Sequence, residues 1–578
     1  MLKRTFLAIR LNMDFATGIA IRFRRKGFTR SRGAGKMAKH HISKFDKFRS
    51  ILTETIPYET PLIFSNDGFY FHLRKKEGRF EDPIKFIIEG NGEFIPFSYT
   101  IRNAEDKIRR LDILHPGSQI PFVDFLDSYA EVIPQICSKS YYSLRHPARV
   151  ASVFYEPYRA AESENADMSP ENRPIEVESP VLDKKHSSSY FSYKMFGFLH
   201  EFFDSSDFLS LEKRFSKMLH CDISNFFDSI YTHSISWAVK GKFHGKENRN
   251  VFSFESNFDS LMQQCKFGET NGIVIGPEIS RIFSEVIMQS VDACVKRDLD
   301  WELERHGKEQ IDFDIRRYMD DIFIFFNNEK SKDLVYRHIK NHLAELNLYL
   351  NDNKTRIFSA PFLTNISVSK LELSDYLGKL PEMLGISISG SKIRRFGKIG
   401  DNQEVNNSFK RVNLFVHKKA SSTIKRIKAI CHKNNVSAES VSSYILAIIR
   451  NQLRNIIEFF NKRRDDFNAN AKAYFADVLY FYIDVSFYIY AMDPRPRSTF
   501  HVGNVIVSIC QSLDFLDTSY SSHLKTKISD ESFVFMENLK RNGSVSSIEL
   551  INLILAMTQL GDSHLINEEK LMEIFDLD

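Results

Sequence analysis

The sequence predicts an α+β fold, and three observations carry that expectation. Short β-prone runs separated by polar breaks fill residues 48–160. From about 206 to 365 the pattern reads helix, strand, helix, strand-turn-strand, helix. Beyond about 405, apolar residues recur at spacings of three and four, the mark of packed helices. At 578 residues the chain is too long for one core of ordinary size, so two to four domains are expected.

Composition excludes several classes. Hydrophobic residues make up 43% and aromatic residues 13%, with 51 phenylalanines, ample for a large core and incompatible with global disorder. A net charge of +5 says little about partners, so local clusters matter more. Cys137, Cys221, Cys265, Cys294, Cys431 and Cys510 are scattered, with no CxxC and no Cys/His cluster. Neither a disulfide framework nor a structural zinc site is expected, and a reducing cytosol fits. The most apolar stretch, "VLYFYIDVSFYIYAM", is interrupted by Asp484 and reads as too short to span a membrane.

Residues 1–40 carry Lys3, Arg4, Arg10, Arg22, Arg24, Arg25, Lys26, Arg30, Arg32, Lys36 and Lys39 against the single acid Asp14. Three readings stay open: a nucleic-acid-binding arm, an Arg-rich transit peptide (poorer in Ser than is usual), or a dispensable extension upstream of Met37. Next come the β-rich runs "TPLIFSNDGFYFHL", "PIKFIIEG" and "EFIPFSYTI". The acidic, proline-containing segment 161–187 reads as a surface loop or linker.

"MLHCDISNFFDSIYTHSI" (218–235) reads as a strand that delivers Asp222 at its end, followed by a short helix. An N-cap is the alternative role for that aspartate. In "ETNGIVIGPEISRIFSEVIM" (269–288), Gly272, Gly276 and Pro277 open a helix whose apolar face is Ile279, Ile282, Phe283 and Val286. Glycines there let a nucleotide, or simply another backbone, approach closely. "RRYMDDIFIFF" (316–326) suits a strand-turn-strand with Asp320 and Asp321 at the turn. One carboxylate from the first strand and two from this hairpin could hold two Mg²⁺ ions at the separation used in two-metal phosphoryl transfer. "MLGISISGSKIRRFG" looks like a hairpin turning on Gly390-Ser391, and "AESVSSYILAIIRNQLRNIIEFFNKRR" is helical.

In this joint order, with "LNLYLNDNKTRIF" (346–358) following, roughly residues 140–365 resemble the reverse transcriptases. The resemblance implies a right-hand polymerase fold: fingers, a palm with an RRM-like antiparallel sheet, and a helical thumb. An α-helical, repeat-like C-terminal domain follows. It divides the chain into a basic extension (1–45), an N-terminal region with fingers (46–205), a palm (206–365), a basic thumb-like segment (366–430) and the helical domain (431–578). It makes Asp222, Ile223, Asp320 and Asp321 the metal ligands and Lys354 a proton donor to pyrophosphate, alongside the aspartates in catalysis. Gly276 falls in the nucleotide-contacting motif. Phe227, five residues after Asp222, falls where a ring would exclude a ribose 2′-OH and favour dNTPs; plain core packing is the rival role. Two Mg²⁺ ions are implied, with Mn²⁺ able to substitute.

The segments "YYSLRHPARVASVFYEPY", "SSYFSYKMFGFLHEFFDS", "DISNFFDSIYTHSISWAVKGK" and "TNGIVIGPEISR" are similar to the bacterial abortive-infection and defence-associated reverse transcriptases. "ILTETIPYETPLIFSNDGFY" and "YIYAMDPRPRSTFHVGNVI" point to the b-type branch of the type 3 two-reverse-transcriptase defence systems. The implied partners are dNTPs, a DNA product, a non-coding RNA and/or a second reverse-transcriptase subunit. A homo-oligomer is compatible, no membrane partner is expected, and the implied location is the bacterial cytoplasm. The sequence departs from the family's GxPQG motif: "GIVIG" puts Val274 and Ile275 where proline and glutamine are usual. An apolar residue cannot make the glutamine's polar contacts, which points to restricted or untemplated synthesis of a low-complexity product.

Between 391 and 428, Lys392, Arg394, Arg395, Lys398, Lys410, Arg411, Lys418, Lys419, Lys425, Arg426 and Lys428 face only Asp401 and Glu404. That is a candidate track for nucleic-acid phosphates, with a solvated face as the alternative. Arg145 and Arg149 flank "HPA" and are candidates for triphosphate oxygens or, equally, for structural ion pairs. Two rival functions remain: an ordinary RNA-templated enzyme of retron or intron type, and a catalytically silent scaffold binding RNA or a partner.

Overall fold

A computed structural model describes residues 37–41, 43–55, 59–75, 92–104, 107–157, 189–247, 252–306, 312–389, 392–394, 416–461, 469–541 and 547–575. The chain is mostly helical with small sheets. Near the N-terminus, strands β1 (Phe97–Ala104) and β2 (Lys107–Ile113) form an antiparallel hairpin. Met37–His41, at the end of the basic segment, pairs with Val153–Pro157.

The central unit is one antiparallel sheet. Its strands are β3 (Lys217–Asp222), β4 (Phe313–Tyr318), β5 (Asp321–Phe326) and β6 (Arg356–Ser359), in the order β6-β3-β5-β4. The helices around it are α1 (Ser206–Arg214), α2 (Glu278–His306) and α3 (Glu329–Glu345). Ser205 caps α1 by accepting the Phe208 N–H at 3.2 Å, and Asn328 caps α3 by accepting the Ser331 N–H at 2.8 Å.

The Ile-Phe-Ile-Phe-Phe run is apolar throughout because β5 is an interior strand covered on both faces. Its side chains alternate. Ile322, Ile324 and Phe326, with Leu219 and Cys221 of β3, pack against Phe283 and Val286 of α2 and Val335 and Ile339 of α3. Phe323 and Phe325, with Met218, pack against Phe202, Phe208, Phe215 and Phe362 on the opposite face. Each such buried side chain contributes roughly 1.5–3 kcal/mol of transfer free energy. The two cores pin the sheet's register, because a one-residue slip would exchange the faces.

The C-terminal half is helical: α4 (Asn365–Gly378), α5 (Val416–Lys433), α6 (Glu439–Asn461), α7 (Ala469–Met492), α8 (Pro496–Cys510), α9 (Thr518–Arg541) and α10 (Ser547–Met557). One hydrophobic cluster joins Leu373 and Leu377 of α4 to Ile427 of α5, Leu453 of α6, Phe475 of α7 and Leu555 of α10. The boundary drawn after residue 430 therefore falls inside α5 and inside a single core. This half is tied back to the N-terminal region. Ile548 of α10 packs with Tyr99, Ile101, Leu111 and Ile113 of the hairpin, and Asn552 Oδ1 accepts the Leu62 N–H at 2.9 Å.

Two expectations are corrected. "TPLIFSNDGFYFHL" is not a strand: Asp67–Lys75 is helical, with Tyr70 and Leu73, one turn apart, as its buried face. The stretch around Asp484 is not short. α7 has 24 residues and is long and apolar enough to cross a membrane, yet 67% of its apolar window is buried inside the helical cluster. A helix apolar all round is the central member of a bundle here, flanked by α5, α6, α8 and α9. Residues 1–36, "PIKFIIEG", 161–187 and Gly390-Ser391 lie outside the described residues; the flanking strands Ser387–Ser389 and Lys392–Arg394 do pair as a hairpin.

Candidate active site

Asp222 ends β3 and Asp321 begins β5, and the two are direct partners in the antiparallel register. Asp320 stands beside them in the two-residue turn between β4 and β5. Sheet pairing thus brings together three carboxylates separated by about a hundred residues. Met319, the other turn residue, has φ 58°, a left-handed conformation that costs a non-glycine residue energy. The turn is held from below: the Arg317 Nη1 donates to the Met319 carbonyl at 3.1 Å.

Arg317 is 1% exposed and pairs with two buried acids of α2, Glu285 at 2.8 Å and Asp292 at 2.7 Å. Its neighbour Arg316 points to the other face of the strand and pairs with Asp207 and Asp314. The sequence pattern alone did not single out Arg317, His220, Arg109 or Asp112. His220 shares the carboxylate face of β3; its ring stacks on Phe323 and its Nε2 lies 2.7 Å from Asp321 Oδ1.

Burial pushes the Asp320 carboxyl up to about 6, and the charges of Asp321 and then Asp222 add to this. Its own backbone N–H and the Arg109 guanidinium of β2 oppose the rise. Asp222 is 8% exposed and is bonded by the Lys354 Nζ at 2.5 Å. Lys354 sits in a turn after a strand-like contact in which Asn351 N–H donates to the Asp222 carbonyl at 2.7 Å and Ser224 N–H to the Tyr349 carbonyl at 2.8 Å. The Ile223 side chain is buried among apolar neighbours, so only its main-chain carbonyl could serve as a ligand.

The donor set fits hard divalent cations. Three carboxylates converge, burial and then the charge of Asp321 raise the pKa of one, and the other two already draw polar partners, Lys354 and His220. A divalent cation answers the same excess of negative charge with the oxygen ligands it prefers.

The other expected residues divide. Phe227 is half-buried; its ring lies 5.2 Å from Phe226 and its carbonyl accepts the Ile273 N–H, so it bridges the end of β3 and the glycine turn. Gly272 has φ 74°, and a Cβ there would lie 2.9 Å from the Asp228 carbonyl. Gly276 has φ 123° and a Cβ would come within 3.2 Å of the Asp112 carbonyl. The backbone of the β1–β2 hairpin therefore packs closely against that glycine. Asp112 and Ile275 exchange bonds: Asp112 N–H to the Ile275 carbonyl at 2.8 Å, and Ile275 N–H to Asp112 Oδ2 at 3.2 Å. Val274 is buried in the core, and the Ile275 side chain packs on the hairpin's apolar face.

Arg145 is engaged as a structural ion pair. It bonds Glu278 at 3.1 Å and lies 3.8 Å from the Tyr193 ring. Arg149 is exposed on Pro147–Val150. On α5, Lys418, Lys425 and Arg426 are exposed, whereas Lys419 is half-buried and donates to the Met383 carbonyl at 2.7 Å. Lys392 and Arg394 lie in the paired hairpin, their side chains outside the described set, as is all of Arg395.

Residues 171–388 match the family model described as reverse transcriptase (RNA-dependent DNA polymerase). The matched segment is similar to a reverse transcriptase domain, and the three aspartates lie within it. Among solved structures, apo telomerase from Candida tropicalis is similar at 13% identity and TM-score 0.24, over 55% of this chain and 55% of that chain. Telomerase from Candida albicans with a TWJ fragment of telomeric RNA is similar at 13% identity and TM-score 0.22, over 84% and 79%. The chain spans about half the length of the Candida tropicalis chains, 55% and 52% in two structures. No curated protein matches.

Proposed function

We propose that the protein is a DNA polymerase of the reverse-transcriptase type that adds dNTPs to a 3′ end, with Asp222, Asp320 and Asp321 holding two Mg²⁺ ions. The observation that carries this reading is the register pairing of Asp222 with Asp321 beside a charge-crowded Asp320. The bound ions would supply Lewis-acid activation of the attacking hydroxyl and neutralise the leaving pyrophosphate. A bound cation would offset the burial and the charge crowding that raise the Asp320 pKa, and so favour its carboxylate form. Lys354, whose Nζ lies 2.5 Å from Asp222 Oδ2, would give a proton to pyrophosphate. The half-exposed Phe227 ring would exclude a ribose 2′-OH.

Synthesis is restricted in this reading. Where the family carries a polar glutamine, Ile275 packs onto Tyr99, Leu111 and their neighbours. The same hairpin receives α10, so the helical half closes against the region beside the glycine turn. The product is then a homopolymer or short repeat, its bases chosen by protein side chains or a dedicated RNA. The exposed Lys418, Lys425 and Arg426 would track phosphates, and the exposed Arg149 is a candidate for the triphosphate. The resemblance to abortive-infection enzymes supports a role in anti-phage defence, in the bacterial cytoplasm, with a non-coding RNA or a second reverse-transcriptase subunit as partner.

The test is incubation of purified protein with each dNTP alone and with all four, with and without co-purified RNA and with an unrelated primed RNA. Sequencing is expected to show low-complexity DNA. A complementary copy of the unrelated RNA over hundreds of nucleotides would establish ordinary templated synthesis instead.

A further inference from the structure

Helices α2 and α3 lie side by side against the sheet, and Asp298 of α2 meets His338 and His342 of α3, with ligand atoms of all three within 4.8 Å of one another. The two histidines are four residues apart, so one helical turn sets both rings on one face. His342 Nε2 lies 2.7 Å from Asp298 Oδ2, and His338 Nδ1 lies 3.9 Å from the same oxygen. Zinc bonds of about 2.0–2.1 Å in a tetrahedron set ligand atoms about 3.3 Å apart, between these two separations. The other carboxylate oxygen, Oδ1, is taken by Arg297 Nε at 3.1 Å.

A second observation points to a ligand. His338 Nε2 and His342 Nδ1 are buried and have no hydrogen-bond partner among the described residues. Each nevertheless faces a carboxylate: Glu302 Oε1 is 3.8 Å from His338 Nε2, and Glu345 Oε2 is 3.6 Å from His342 Nδ1. Metal-bound imidazoles are oriented in this way, the far ring N–H donating to an outer carboxylate. A movement of about 1 Å would make both bonds.

We propose that Asp298, His338 and His342 bind a zinc-type divalent transition-metal ion, with Glu302 and Glu345 positioning the two imidazoles. Two imidazole nitrogens and one carboxylate suit such an ion better than Mg²⁺, which prefers oxygen. The scattered cysteines argued against a zinc site, but this set uses none. The ion would take the place of the proton shared by His342 and Asp298, with water completing the shell where Asp298 is 31% exposed. It would staple α2, whose Glu285 and Asp292 support the catalytic turn through Arg317, to α3, which follows β5.

The test uses full-length protein stripped by chelation, then titrated with Zn²⁺ in excess Mg²⁺ and followed by bound-metal analysis, thermal unfolding and Co²⁺ absorption. One zinc per chain is expected, with a raised Tm and tetrahedral Co²⁺ bands. Asp222→Asn is expected to retain all three, which separates this site from the polymerase carboxylates. The double variant His338→Asn/His342→Asn is expected to lose them, and Glu302→Gln to weaken affinity about 10- to 100-fold. If the double variant does not fold, Asp298→Asn, which keeps an oxygen for His342, takes its place. No stoichiometric zinc on the wild type, or unchanged uptake in the ligand variant, overturns the proposal.

Discussion

Arg317 Nη1 donates to the main-chain carbonyl of Met319 at 3.1 Å, so a fully buried guanidinium holds the strained residue immediately before Asp320. The same group pairs with both Glu285 and Asp292. Arg317→Met should leave those two acids buried without a cation and cost about 3–5 kcal/mol in urea unfolding. Arg317→Lys should recover only part of this, because an ammonium cannot form the paired bonds of the guanidinium fork. A loss under about 1 kcal/mol for Arg317→Met would mean that α2 does not depend on the arginine.

Asp320 gives a pH dependence with a defined sign. Its folded-state pKa of about 6 lies above the ordinary aspartate value, so the metal-free folded protein binds the extra proton. Stability therefore falls as pH rises through the window up to about 6, and the penalty persists above it. Asp320→Asn should unfold later than wild type at pH 8, by on the order of 1 kcal/mol, and lose that advantage at low pH. Protons and Mg²⁺ should compete at the same carboxyl. The Mg²⁺ concentration for half-maximal incorporation should rise about tenfold per pH unit below about 6. A requirement independent of pH between 5 and 8 would remove Asp320 from the metal site.

Phe227 is expected to set sugar selection. Phe227→Ala removes the ring five residues after Asp222 and should lower discrimination of dATP against ATP by about tenfold or more, measured in direct competition. An unchanged ratio would leave Phe227 as a packing residue between β3 and the glycine turn.

The hairpin that carries Asp320 and Asp321 was legible in the sequence because alternation and a two-residue turn are local properties. "RRYMDD" followed by an apolar run became β4, turn and β5, and "MLHCD" became β3. The register that sets Asp222 opposite Asp321 was not read from the sequence, because it depends on which strands become neighbours in the sheet. Arg317 was not legible. Adjacent arginines must point to opposite faces of a strand, but which face is buried depends on Glu285 and Asp292, 32 and 25 residues away. Asp67–Lys75 was misread because its aromatics suggested β structure, while Tyr70 and Leu73 sit at helical spacing. Arg145 stayed open between phosphate binding and an ion pair because its partner Glu278 lies 133 residues away. The histidine–aspartate cluster was missed for the same reason: α2 and α3 are brought together only by the sheet between them in sequence.

The central claim is that Asp222, Asp320 and Asp321 form one metal-dependent polymerising centre. The most direct measurement is incorporation of radiolabelled dNTPs by wild type, Asp222→Asn and Asp320→Asn with Mg²⁺, with thermal unfolding recorded on the same preparations. Wild type is expected to extend product. Both variants are expected to fall to background while unfolding no earlier than wild type, since each removes a crowded charge. Wild-type rates in either folded variant would contradict the account.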